Sequence, residues 1–164
     1  MANVRGVVVS DNAAFTAGGM VTRGEVLVEI EKLDHLSALK SAEANLARAK
    51  AGFSEEQARA QIAADEWARE GRTKTAPLLG LRKPQLAREK ANVASAEAEL
   101  DTAKRDLQRT TIIAPYNAIV AQRNIDIGQL VAANNSLGQI MATDVAEIRL
   151  PASLHDLYRL ALNM

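Results

Sequence analysis

Apolar positions along the chain follow two different periods, and the change of period divides it into three regions. Residues 1–33 carry valines and isoleucines broken by glycine, with the turn signals "AGG" and "RGE". That pattern predicts short strands. Residues 111–150 read the same way. "TTIIAPYNAIVAQRNIDIGQLV" alternates around turns expected at Pro115-Tyr116-Asn117 and Asp126-Ile127-Gly128. Between them, residues 34–109 hold 18 alanines against three glycines and two prolines. Over such a length that balance predicts helix.

Spacing within the middle region says what kind of helix. Leu39, Leu46, Phe53, Ala60 and Trp67 stand seven apart, with Ala42, Ala49 and Ala63 interleaved. Leu79, Leu86, Val93, Leu100 and Leu107 repeat the spacing, with Ala96 and Ala103 interleaved. These are two heptad seams whose small residues allow close approach. Acid-before-base pairs four apart (Glu55 and Arg59, Asp65 and Arg69, Asp101 and Arg105) fit exposed helix faces. Setting the seams antiparallel, with Leu39 opposite Leu107, puts Leu46 by Leu100, Phe53 by Val93, Ala60 by Leu86 and Trp67 by Leu79. The turn then falls near Thr73, where "EGRTKTAP" offers a glycine stop, capping threonines and Pro77 for a first turn. Gly80 and Pro84 predict irregular chain around residues 77–83. Ser54 with Gln57 forms a possible capping box beside Gly52, but Phe53 stays in heptad phase, so a continuous first helix is expected.

The flanking regions share a skeleton. Subtracting 110 superimposes Gly128, Val131, Leu137, Ile140 and Asp144 on Gly18, Val21, Leu27, Ile30 and Asp34, and places Ile119 and Ile125 on Val9 and Phe15. The shared residues are of the kind that fix a backbone path and a core. The expected fold is therefore α+β: one pseudo-symmetric β-sandwich divided by a long antiparallel coiled-coil hairpin. Residues 1–33 form its first half, 34–109 the hairpin with its tip at about 71–77, 110–145 the second half, and 146–164 the start of a further domain.

Composition narrows the function. Twenty basic and 20 acidic residues cancel, so there is no basic surplus for nucleic acid. No stretch is long and apolar enough to span a bilayer, and "MANVRGVVVS" is not a secretory signal. Cysteine is absent, which removes thiol catalysis and cysteine-ligated zinc. His35 and His155 are the only histidines, with no second ligand at metal spacing, and both read as surface residues. No serine sits in a nucleophile elbow. Asp34 reads as a helix cap and Asp144 as a turn residue. Catalytic, cofactor and metal sites are not expected.

Split halves of a lipoyl- or biotinyl-type sandwich around a hairpin resemble the membrane fusion proteins, the HlyD-like periplasmic adaptors of tripartite efflux pumps. The resemblance rests on "FTAGGMVTRGEVLVEIEKLD" running into "LSALKSAEANLARAKA". It continues in "RKPQLAREKANVASAEAELDTAKRDLQRTTIIAPYNAIVAQRNIDIGQLV", whose junction "RTTIIAPYNAIV" is the most specific piece. "AEIRLPASLHDLYRL" is similar to the opening of that family's β-barrel domain. The resemblance implies a periplasmic, non-enzymatic adaptor, a piece of a longer protein with its targeting segment outside these residues. Its partners would be an inner-membrane transporter, RND-type foremost, a TolC-type outer-membrane channel, and further copies of itself in a ring. The hairpin tip lacks the arginine–leucine–serine spacing many members use to meet the channel. The candidate partner-binding residues here are Arg72, Thr73, Lys74, Thr75, Leu78, Leu81 and Arg82, which combine exposed cations with leucines just past the turn. Two other roles fit parts of the sequence. Lys32 stands near where a carrier domain bears its modified lysine, but the chain enters a helix there instead of a tight turn. A purely structural coiled coil would need no divided sandwich.

Overall fold

The computed structural model describes residues 1–69 and 81–144. Three strands, β1 (Gly6–Asp11), β2 (Met20–Val21) and β3 (Val26–Ile30), lead into helix α1 (Leu33–Arg69). Helix α2 (Lys83–Gln108) returns, and β4 (Thr111–Ile113), β5 (Ala118–Arg123), β6 (Leu130–Val131) and β7 (Gly138–Ala142) follow. Alanine-rich heptads form the two long helices, and α1 runs unbroken through Gly52 for 37 residues, about 55 Å at 1.5 Å per residue.

The strands make two antiparallel sheets, in the orders β4-β3-β1-β6 and β2-β5-β7. Each half of the chain lends its shortest strand to the other half's sheet. β6 pairs with β1 (Gly6 with Val131), and β2 pairs with β5 (Val21 with Ala118). The halves are therefore interlocked. Between the sheets lies one core drawn from both, including Val8, Phe15, Val21, Leu27, Val28, Ile30, Val120, Ile125, Val131 and Leu137. Burying these side chains is the main stabilising term for the sandwich.

The internal repeat is visible in backbone detail. Gly18 and Gly128 have φ of 84° and 85°, while Gly24 and Asn134 have 85° and 71°, so each pair of turns uses the left-handed region at the same point. One expected match needs correcting. β1 superimposes on β5 at an offset of 112, because Ala13 and Ala14 lengthen the first half's loop. Val8 and Val120 are equivalent, facing Ile30 and Ile140, and Asn12 and Asn124 donate to Leu27 O and Leu137 O. Ile119 thus corresponds to Val7 and not to Val9. The pairs Met20–Ile119 and Val7–Leu130 are copies of one outward-facing apolar pair on opposite sheets.

The hairpin is rooted firmly. Ile30 N donates to Thr110 O at 2.8 Å and Glu31 N to Val7 O at 2.8 Å, while Thr110 Oγ1 donates to Leu107 O at 2.7 Å. Asp34 is not the cap it was expected to be. Lys32 O already accepts Leu36 N, so Asp34 lies inside the first turn, where its negative charge suits the helix dipole.

Candidate partner-binding surface of the hairpin

Helix–helix contact places Ala42 and Ala96 at buried seam positions, with Leu39, Leu46, Phe53, Leu86, Val93, Leu100 and Leu107 half-buried beside them. Trp67 is half-buried in the same phase. The alanine stripe of α1, at 42, 49 and 63, has one interruption: position 56 is glutamate. On the return side the equivalent stripe passes through Arg82, Glu89, Ala96 and Ala103. The stretch of seam where Glu56 faces the start of the return helix therefore carries charge.

Glu56 is only 7% exposed. Its carboxylate accepts two hydrogen bonds from one guanidinium, Arg82 Nε to Oε1 at 2.6 Å and Arg82 Nη2 to Oε2 at 2.9 Å. Such a fork-to-fork pair is a strong charge-assisted contact. The Arg82 bonds hold the Glu56 carboxyl below the usual carboxylate range, and Glu56 in turn raises Arg82. Glu89 is lowered by the Asn92 amide and then by Arg88. A Cβ added to Gly52 would lie 3.5 Å from Glu89 Oε2, so this acid faces α1.

Two expectations change here. The leucine register sets Glu56 opposite Lys90 and Gly52 opposite Ala94. The residues that reach them are Arg82 and Glu89, both nearer the tip. Lys50, whose Nζ forms an ion pair with Glu97 Oε1 at 3.5 Å, stays within one position of the expected pairing. The leucine count departs from the observed contacts around Glu56 and Gly52, where charged side chains cross the seam. Arg82, expected as an exposed tip cation, is engaged with Glu56 and partly buried. Of the other predicted tip residues, Leu81 is half-buried in the turn before α2, and Arg72, Thr73, Lys74, Thr75 and Leu78 lie outside the described residues.

The remaining candidate chemistry is ordinary. Lys32 Nζ pairs with Glu29 Oε1 at 2.8 Å, and the chain passes directly from β3 into α1 around it. His35 Nε2 lies 3.2 Å from Arg5 O, and Asp144 Oδ1 accepts from Asn117 Nδ2 at 3.4 Å. His155 lies outside the described residues. Among the described residues no group of acids and histidines could hold a metal ion, and no helix is long and apolar enough to cross a membrane. Of the predicted surface pairs, Arg59 binds Glu55, whereas Arg105 donates to Thr102 Oγ1 at 3.1 Å and Asp65 accepts from Gln61 at 3.0 Å.

No family model and no curated protein matches the sequence. Solved structures do match. MacA from Actinobacillus actinomycetemcomitans is 25% identical, with a TM-score of 0.63 over 87% of this chain and 47% of that one. The membrane fusion protein Spr0693 from Streptococcus pneumoniae R6 is 21% identical, with a TM-score of 0.58 over 83% of this chain and 54% of that one. A MacA–MexA chimera carrying the Pseudomonas aeruginosa MexA α-hairpin domain is 24% identical, with a TM-score of 0.58 over 85% of this chain and 42% of that one. The chain thus spans about half the length of these structures. It has the fold of the membrane fusion and periplasmic adaptor proteins, a long helical hairpin on curled antiparallel sheets.

Proposed function

We propose that this chain is the hairpin-bearing part of a non-enzymatic periplasmic adaptor, bridging an inner-membrane transporter and an outer-membrane channel in an efflux or secretion system. The observation that carries the reading is architectural. A hairpin with helices of 37 and 26 residues issues from between two interlocked halves of one sandwich. Such a body suits reach and stacking. The sandwich takes the lipoyl-type role of a compact base, the hairpin supplies a wall, and its distal end meets the channel. An RND-type transporter and a TolC-type channel are the partners proposed.

Self-association is part of this reading. Met20 (74% exposed) and Met141 (55%) flank Ile119 in one cross-strand row on the outer face of the three-stranded sheet. Leu130 (57% exposed) pairs with Val7 on the opposite sheet, beside the exposed Val9. Apolar rows on opposite faces suit head-to-tail contact between copies, which closes into a ring when the rotation allows.

The test acts on the tip in the native gene product. Substituting Leu78 and Leu81 with serine should impair export while abundance and helix content stay normal, because docking energy concentrates in few residues. Unchanged export at normal abundance would refute tip docking. Loss of helix content would assign those leucines to the hairpin's own packing.

A further inference from the structure

We propose that Glu56 and Arg82 form a clamp that sets where the return helix begins and holds that start against α1. The inference stands on the hairpin's geometry alone and holds whether or not the tip docks on a channel.

Three independent features meet at Arg82. Its backbone is left-handed, with φ 54° and ψ 21°, a conformation that side-chain-bearing residues seldom adopt. It occupies the N-cap position of α2, and its carbonyl accepts the first hydrogen bond of that helix, from Leu86 N at 3.0 Å. Its side chain makes no cap bond to its own helix. The guanidinium crosses instead to the other helix and grips Glu56 with two bonds. A residue in an unfavourable backbone state, without a local cap, needs an outside tether, and this one has it.

The sequence around the clamp explains its necessity. Pro84 lies in the first turn of α2 and fits only a helix start, so it biases the boundary without holding the chain against α1. The apolar seam cannot hold that boundary alone. Leucines and alanines recurring every seven residues look alike after a shift of one heptad, so packing separates such arrangements only weakly. Glu56 removes the degeneracy. In any arrangement that takes Arg82 away, a carboxylate on the seam would lose the two direct bonds it accepts among the described residues. It would keep only the through-space attraction of Arg59 and Arg88, and burying a carboxylate without hydrogen bonds is penalised. Glu89, held by Asn92 and Arg88, sits on the same stretch of seam and cannot replace the cation.

The experiment is amide hydrogen exchange by NMR on the whole chain, read at Leu86, which reports the first bond of α2, and at Leu100, which reports its middle. Glu56→Met should speed exchange at Leu86 roughly tenfold and leave Leu100 unchanged, since the effect is local opening. The decisive variant adds Arg82→Gly to Glu56→Met. Glycine adopts the left-handed backbone without a tether, so protection at Leu86 should recover. An unchanged Leu86 rate in Glu56→Met, or equal acceleration at Leu86 and Leu100, would overturn the clamp. So would a failure of the glycine to restore protection. A purely packing role for Glu56 predicts that last outcome, because glycine supplies no packing.

Discussion

Gly6 opens β1 directly under Ile30, the fully buried residue that ends β3 beside the hairpin root. A Cβ built on Gly6 would lie 2.3 Å from Ile30 Cγ2, more than an ångström inside normal contact. Gly6→Ala should therefore destabilise the sandwich by about 1–3 kcal/mol, the usual cost of overpacking a closed core. Ile30→Ala removes Cγ2 and the rest of a side chain with no exposed surface, which should cost about 2–5 kcal/mol. The two changes occupy the same space, so the double variant should be less destabilised than the sum by about 1–3 kcal/mol. Urea denaturation of the four proteins gives the cycle, provided the slopes agree. Hydrogen exchange at Val120, whose amide is bonded to Gly19 O at 2.9 Å, confines the reading to the sandwich. Additivity within about 0.5 kcal/mol would refute the steric argument. A Gly6→Ala protein as stable as the parent would refute it too, since the strand would then shift at no cost.

Three further outcomes test other parts of the molecule. Cysteines at Leu46 and Leu100 should crosslink under mild oxidation faster than cysteines at Leu46 and Val93, and equal or reversed rates would show that the proximal seam pairs otherwise. Acid should destabilise the fold. Glu25 is lowered by Thr22, Glu29 by Lys32, Glu56 by Arg82 and Glu89 by Asn92, so their stabilisation is complete above the ordinary carboxylate value of 4.5 and is lost as pH falls through the folded values. The melting temperature should drop as the pH falls below about 5, and Glu56→Gln should flatten that slope; an unaltered slope would count against the role given to Arg82. Serine at Met20 and Met141 should reduce self-association in sedimentation velocity without changing the melting temperature, whereas unchanged sedimentation would remove the three-stranded sheet from any interface.

Much of the fold was legible because it rests on signals that repeat. Heptads from Leu39 to Phe53 and from Leu86 to Leu107 mark residues half-buried along a seam between the helices. The duplicated glycines Gly18 and Gly128 mark a backbone conformation that few other residues adopt, here with φ of 84° and 85°. What escaped was local and unrepeated. A fixed offset of 110 hid the two extra residues, Ala13 and Ala14, and so paired Ile119 with the wrong strand position. Asp34 looked like a cap because aspartate prefers that place. The adjoining Lys32 carbonyl takes the first helical bond instead, since β3 delivers the chain to the helix already turned.

The charged stretch of the seam had a signal in the sequence. Counting every seventh residue from Ala42 reaches Glu56, and counting back from Ala96 reaches Glu89 and Arg82. An acid in one stripe and a base in the other invite pairing, but heptad analysis weighs apolar positions and passes over such residues as surface. The structure gives them a division of labour. At its root the hairpin is fixed by backbone, with Ile30, Glu31 and Thr110 joining both helices to the sandwich. Backbone ties of that kind cannot extend along two parallel cylinders, whose peptide groups are already used within each helix. Farther out, only side chains can fix one helix against the other, and alanines and leucines fix distance better than position along the axis. A bidentate ion pair has one geometry. Placed where the return helix starts, it supplies the axial definition that the rest of the seam lacks, so the first turn of α2 is held against α1 by a side-chain contact of one geometry.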